Sequence, residues 1–188
     1  MPTLSVFNTV SLDGYFVSST GDMSWAHAGS DDKEWNDFVS GNASGDGTLI
    51  FGRVTYDMMS SYWPTPMAMQ NSPEVAKGMK ALSKVVFSRT LKSASWSNTT
   101  LVKDDMIESM RAMKSGSGNP MTILGSGSVV SQFADAGLID EYQLVIKPIA
   151  LGAGRTMFDG LATPLHLRLR TSRQFANGNV LLCYEPNA

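Results

Sequence analysis

Short apolar runs recur along the chain, separated by amphipathic or polar stretches. LSVFNTV at 4–10 alternates and is apolar enough for an inner strand. SLDGYF follows, with Asp13-Gly14 as a turn signal, and a polar, glycine-containing loop then leads to Trp25. Residues 31–40 read as a helix with Trp35, Phe38 and Val39 on one face, GNASGDG (41–47) as a loop and TLIFG (48–52) as the next strand. A short helix follows Arg53, and after it comes a Pro-, Met- and Ser-rich stretch over 62–73.

KVVFSRT (84–90) predicts a short buried strand. Met106, Ile107, Met110 and Met113 fall at helical spacing within 104–114, and the glycines and Pro120 of SGSGNP close that helix. MTILG (121–125) reads as a strand, SVVSQFADAG (128–137) as a helix, and EYQLVIKPIA (141–150) as a strand running into the loop LGAG. The end has the pattern of a hairpin, LHLRLRTSRQF turning through ANGN into VLLCYEP. Short apolar strands alternating with helices predict an α/β fold. We expect one domain over 1–188, with a mixed, mostly parallel central sheet flanked by helices and a C-terminal antiparallel hairpin.

Composition narrows the function classes. The chain has 188 residues and a net charge of -2, which disfavours a phosphate-backbone binder, so no nucleic-acid partner is expected. No segment has the length of an apolar membrane span, and the N-terminus lacks a signal pattern, so the expected location is cytoplasmic. The single cysteine, Cys183, excludes an intrachain disulfide and reads as a small core residue. Two histidines and one cysteine far apart give no metal-site spacing, so no metal is expected.

Three strand ends carry candidate chemistry. TLIF ends in Gly52-Arg53, KVVF in Ser88-Arg89, and TIL in Gly125-Ser126-Gly127-Ser128. If these strands are parallel, their carboxyl ends share one edge, where ligands of open α/β sheets bind. Glycines there let backbone approach a pyrophosphate, helix N-termini offer free N–H groups, and arginine grips phosphate through a planar fork. The set suits an anionic, phosphate-bearing ligand. It is neither the standard dinucleotide fingerprint, since Val130 stands at the third glycine, nor a P-loop.

These residues, in this order, resemble the dihydrofolate-reductase-like superfamily, in the branch of the riboflavin-biosynthesis reductase domain (RibD C-terminal domain). The resemblance spans S-L-D-G-Y-F at 11–16, G-R-V-T-Y at 52–56, F-S-R-T at 87–90 and L-G-S-G-S-V-V at 124–130. Its most specific part is G-L-I-D-E-Y at 137–142 running into P-I-A-L-G-A-G at 148–154. It implies NADPH as cofactor, a small-molecule substrate and a homodimer. Carried over, Gly52, Arg53 and Thr55 would meet the cofactor phosphates, and Ser88 and Arg89 the adenosine 2′-phosphate. Gly125, Ser126, Gly127, Ser128 and Val129 would line the pyrophosphate site, and Thr9 and Val10 would approach the nicotinamide.

The implied activity is hydride transfer from NADPH to a small heteroaromatic (pteridine- or pyrimidine-like) or carbonyl substrate; the alternative is a non-catalytic NADP(H)-binding or regulatory domain. The proton source is open between a bound water, His27, Asp31 and Asp32. Asp31 with Glu34 also fits a capping box, which competes with catalysis. His27 reads first as an exposed polar loop residue and second as a donor. The riboflavin branch carries a lysine after S-L-D-G where this chain has Tyr15.

Overall fold

The structure is a computed structural model that describes residues 1–26 and 31–187. Ten strands and six α-helices follow one another along the described chain. The order begins β1 (Leu4–Ser11), β2 (Tyr15–Ser18), a single 3-10 turn (Ser24–Ala26) and α1 (Lys33–Asn42). It continues β3 (Thr48–Gly52), α2 (Arg53–Tyr62), α3 (Pro66–Asn71), α4 (Pro73–Ala81), β4 (Ser83–Phe87) and β5 (Thr99–Val102). Then come α5 (Met106–Ser115), β6 (Met121–Leu124), α6 (Gly127–Asp135), β7 (Glu141–Lys147), β8 (Gly154–Thr156), β9 (Leu167–Gln174) and β10 (Val180–Pro186).

Eight strands form one sheet in the order β5-β4-β3-β6-β1-β7-β10-β9. The pairs from β5 through β7 are parallel, whereas β10 runs antiparallel to both β7 and β9. β2 and β8 make a separate antiparallel ribbon. The period of two along β1 decides which residues face which layer. Leu4, Val6 and Val10 pack with Met110, Val130 and Phe133 of α5 and α6, while Phe7 joins Trp35 and Phe38 of α1 on the other face. A further cluster seats Tyr56, Val75 and Met79 of α2 and α4 on Phe51 and Val86. Helices therefore cover both faces, and the parallel strands read as near-continuous apolar runs for that reason.

The expected strand and helix order is present, and Cys183 is buried in β10 as a core residue. Elements the pattern did not reveal are also present. The Pro- and Met-rich stretch holds α3, which Thr65 caps and Pro66 opens, and Pro73 opens α4 directly behind it. Proline at the first helical position begins a helix as readily as it ends one. The strand predicted to reach residue 150 stops at Lys147, ahead of Pro148.

Candidate nucleotide site at the carboxyl edge of the sheet

The chain leaves β3 and β6, adjacent parallel strands, in opposite directions. From β3 it passes through α2 on one face towards β4, and from β6 through α6 on the other face towards β7. That is a topological switch point, and the two helix N-termini open beside the same crevice. Each offers first-turn N–H groups that have no partner within the helix.

A cavity of about 790 Å3 occupies this crevice. Gly52, Arg53 and Thr55 line it from the α2 start, and Ser88 and Arg89 from the end of β4. Ser126, Gly127, Ser128 and Val129 line it from the start of α6. The three strand ends singled out in the sequence thus meet around one space. Arg155 of β8 adds a third guanidinium that sequence reasoning missed. Arg53 pairs with Asp57 one turn on, at 3.1 Å. Among the described residues neither Arg89 nor Arg155 has an ion pair, although Asp104, Asp105 and Asp159 also line the cavity. A hollow of similar size, about 810 Å3, opens at the amino ends of the strands around Thr48, Ser83 and Thr99; it carries none of the predicted residues.

The turn 125–128 is held from three sides. Gly125 and Ser126 both adopt left-handed backbone, at φ 60° and 58°. The buried Asn8 grips the Gly125 peptide with both ends of its amide: Gly125 N–H donates to Oδ1 at 2.6 Å and Nδ2 donates to Gly125 O at 3.2 Å. Ser126 N–H donates to the Thr55 hydroxyl at 3.0 Å, and Gly52 N–H donates to the Ser126 hydroxyl at 2.8 Å. Glycine is required at 125, because a Cβ there would lie 2.7 Å from Thr55 Cγ2. Gly125 itself is buried and does not line the cavity. Asn8 left one signal in the sequence, a lone amide inside an apolar strand.

Thr9 and Val10 stand next to Asn8 at the end of β1 but do not line the cavity. Val10 packs in the core, and Thr9 is half-buried on the α1 face.

The candidate proton donors lie elsewhere. His27 falls outside the described residues. Asp31 is exposed, and neither it nor Asp32 lines the cavity. The cap of α1 is Asp32 rather than the expected Asp31: its Oδ1 accepts from Trp35 N–H at 3.1 Å. Its Oδ2 accepts from Asn177 N–H at 3.0 Å, tying the helix to the C-terminal hairpin turn. The Trp35 N–H, with help from that of Asn177, holds the Asp32 carboxyl below its usual range. Such a group stays ionised near neutral pH and is a poor proton donor. Glu34, the other half of the expected box, bonds Arg173 at 2.5 Å instead.

Asp13 does more than form a turn. Its carboxylate accepts from the Ser11 hydroxyl at 2.6 Å and from the N–H groups of Leu151 and Gly152 at 3.1 and 2.7 Å. These bonds, the Ser11 hydroxyl first, bring its pKa down to about 2. The S-L-D-G and L-G-A-G segments are therefore one clasp at the carboxyl edge.

This parallel sheet with a closing antiparallel hairpin is the dihydrofolate-reductase-like architecture. The profile of the RibD C-terminal domain matches residues 2–181, and the chain belongs to that family. It is 27% identical over 178 residues to the uncharacterized protein YyaP of Bacillus subtilis (strain 168), covering 95% of this chain and 92% of that protein. A protein of Shewanella sp. PV-4 named for riboflavin biosynthesis superposes with a TM-score of 0.76 at 24% identity, covering 99% of each chain. Dihydrofolate reductase from Enterococcus faecalis, solved with NADP(H), superposes at 0.63 with 14% identity, covering 99% of this chain and 97% of that one. No helix among the described residues is long and apolar enough to cross a membrane, and no group of three or more His, Cys, Asp or Glu side chains there could hold a metal ion.

Proposed function

We propose that this protein is an NADPH-dependent reductase that transfers a hydride to a small pteridine- or pyrimidine-like, or carbonyl, substrate. The observation that carries this reading is the convergence of two helix N-termini and the unpaired guanidinium of Arg89 on one cavity. NADPH supplies the hydride when bound. Gly52, Arg53 and the N–H groups opening α2 and α6 would hold the diphosphate, with Gly127, Ser128 and Val129 on the α6 side and Arg155 across from them. Ser88 and Arg89 would take the adenosine 2′-phosphate. Thr55 and Ser126, whose hydroxyls already bond each other's segment, would act by fixing the turn. Thr9 and Val10 would border the nicotinamide from the end of β1. A solved neighbour with NADP(H) in the same architecture supports the choice of cofactor.

The second reading, a non-catalytic NADP(H)-binding or regulatory domain, is favoured by the engagement of Asp32 in capping. Calorimetric titration with NADPH and NADH tests what the two readings share. We expect NADPH to bind at least about tenfold more tightly. Arg89→Ala should remove about 10- to 100-fold of NADPH affinity, the worth of a charge-assisted hydrogen bond, and leave NADH unaffected. Equal affinity for the two cofactors, or an Arg89→Ala variant that binds like the parent, would overturn it. Consumption of NADPH with a quinonoid dihydropterin then separates a reductase from a binding domain.

A further inference from the structure

Three adjacent strand ends bring buried polar side chains into one row on the α1 face of the sheet. The register sets Ser11 of β1 beside Lys147 of β7. Val180 pairs with Ile146, so Asn179 reaches the level of Lys147 from the β10 side. Two residues deeper, the cross-strand pair Val145 and Leu181 packs with Trp35 and Phe175. Lys147 and Asn179 therefore share that face. Ser11 is 0% exposed, Asn179 2% and Lys147 8%.

Ser11 is satisfied within the chain, donating to Asp13 and accepting from Tyr15 N–H. The other two are not. Among the described residues the Asn179 Nδ2 has no hydrogen-bond partner. Among the described residues the Lys147 amine makes no hydrogen bond or ion pair; its one electrostatic neighbour is the Trp35 ring, 5.6 Å from Nζ. Burial holds that amine below the usual lysine range. Asp13 and Asp32, the carboxylates that close this end, direct their oxygens to Ser11 and to backbone N–H groups. A buried donor left without an acceptor costs about 1–3 kcal/mol, and more when charged. Asn179 Nδ2 is such a donor, and the Lys147 amine stands at the same level of the neighbouring strand with no acceptor from the described residues, so this end of β1 calls for a ligand that supplies acceptors.

We infer that Lys147 and Asn179 form a donor pair that recognises the oxygen-bearing edge of the substrate, a ring carbonyl or enolate oxygen, on the α1 side of the β1 terminus. The inference rests on the reductase reading, which sets the reducible ring beside Thr9 and Val10. It adds a specificity: a ring with amino groups on that edge would present donors to donors and be rejected.

The probes are lumazine, which carries two ring carbonyls, and the diaminopteridine with amino groups at the same positions. Affinities are measured by calorimetry with and without saturating NADPH. The parent is expected to bind lumazine at least about tenfold more tightly, the effect of one charge-assisted hydrogen bond. Lys147→Met should abolish that preference while NADPH affinity stays within about twofold. Lys147→Arg keeps a donor and should keep the preference, which guards against a misfolded methionine variant. A preference for the diamino compound, a preference that survives Lys147→Met, or no binding of either heterocycle would overturn the inference. A parent that binds no NADPH would overturn the reductase reading instead, and the oxo-against-amino preference of the free protein would still decide this one.

Discussion

The two ends of the central sheet treat a buried lysine in opposite ways. At the amino end, Lys84 of β4 is 1% exposed, yet its amine donates to Leu82 O at 2.7 Å and to Ser97 O at 3.2 Å. It also lies 4.5 Å from the Trp96 ring centre. At the carboxyl end, Lys147 is nearly as buried, and among the described residues its amine meets only the more distant face of Trp35. The amino end is closed by its own carbonyls. Among the described residues the carboxyl end leaves Arg89 and Arg155 without an ion pair, the starts of α2 and α6 without a side-chain cap and the Asn179 amide without an acceptor, the reverse of an end closed for stability.

The largest expected effect falls where the carboxyl edge is most rigid. Gly125→Ala combines a left-handed backbone with a Cβ inside the Thr55 side chain. It should cost about 2–4 kcal/mol in chemical denaturation and weaken NADPH binding with it. Asn8→Ala removes both bonds to the Gly125 peptide and leaves that buried peptide unpaired, at a cost of about 2 kcal/mol.

The lysine pair sharpens the comparison. Lys84→Met orphans its carbonyls and should destabilise by about 1 kcal/mol at pH 7. Lys147→Met removes a charge that the described residues leave without a partner, and should leave stability unchanged or raise it by up to about 1 kcal/mol. Burial brings the Lys84 pKa down from 10.5 to about 8. Between those two values the unfolded chain binds the proton that the folded chain has released, so the parent gains stability as pH rises. The Lys84→Met deficit should therefore widen from about pH 8 upwards and level off above the usual lysine range.

The smallest effect belongs to Asp13, whose folded pKa is depressed to about 2. Its contribution is present above the ordinary carboxylate range and is lost as pH falls towards 2. Asp13→Asn should lower stability modestly at neutral pH and flatten that acid limb, so that parent and variant converge as pH falls towards 2. Acid denaturation of parent and variant checks this, and identical acid limbs would remove the clasp from the account.

Much of the fold was legible because inner strands such as Leu4–Ser11 and Thr48–Gly52 are apolar and short, and the helices between them are periodic. The edge strand Thr99–Val102 was not, since three half-exposed residues and one exposed residue carry neither alternation nor an apolar run. The ribbon of Tyr15–Ser18 with Gly154–Thr156 depends on two segments that the sequence separates widely. The glycine and arginine positions of the site were legible as strand-end chemistry. Asn8, Arg155, Lys147 and Asn179 were not, because their meaning comes from neighbours that only the sheet order supplies. The capping residue was misplaced by one position, as Asp31 and Asp32 are the same residue type and only the Trp35 N–H distinguishes them.

Hydrogen exchange with and without NADPH tests the central claim most directly, because it locates the ligand as well as detecting it. Backbone amides opening α2 (Arg53–Tyr62) and α6 (Gly127–Asp135) should gain protection, with those of Ser88 and Arg89, while β9 (Leu167–Gln174) stays unchanged. Saturating NADPH that left all of these amides unprotected would contradict the assignment of the cavity.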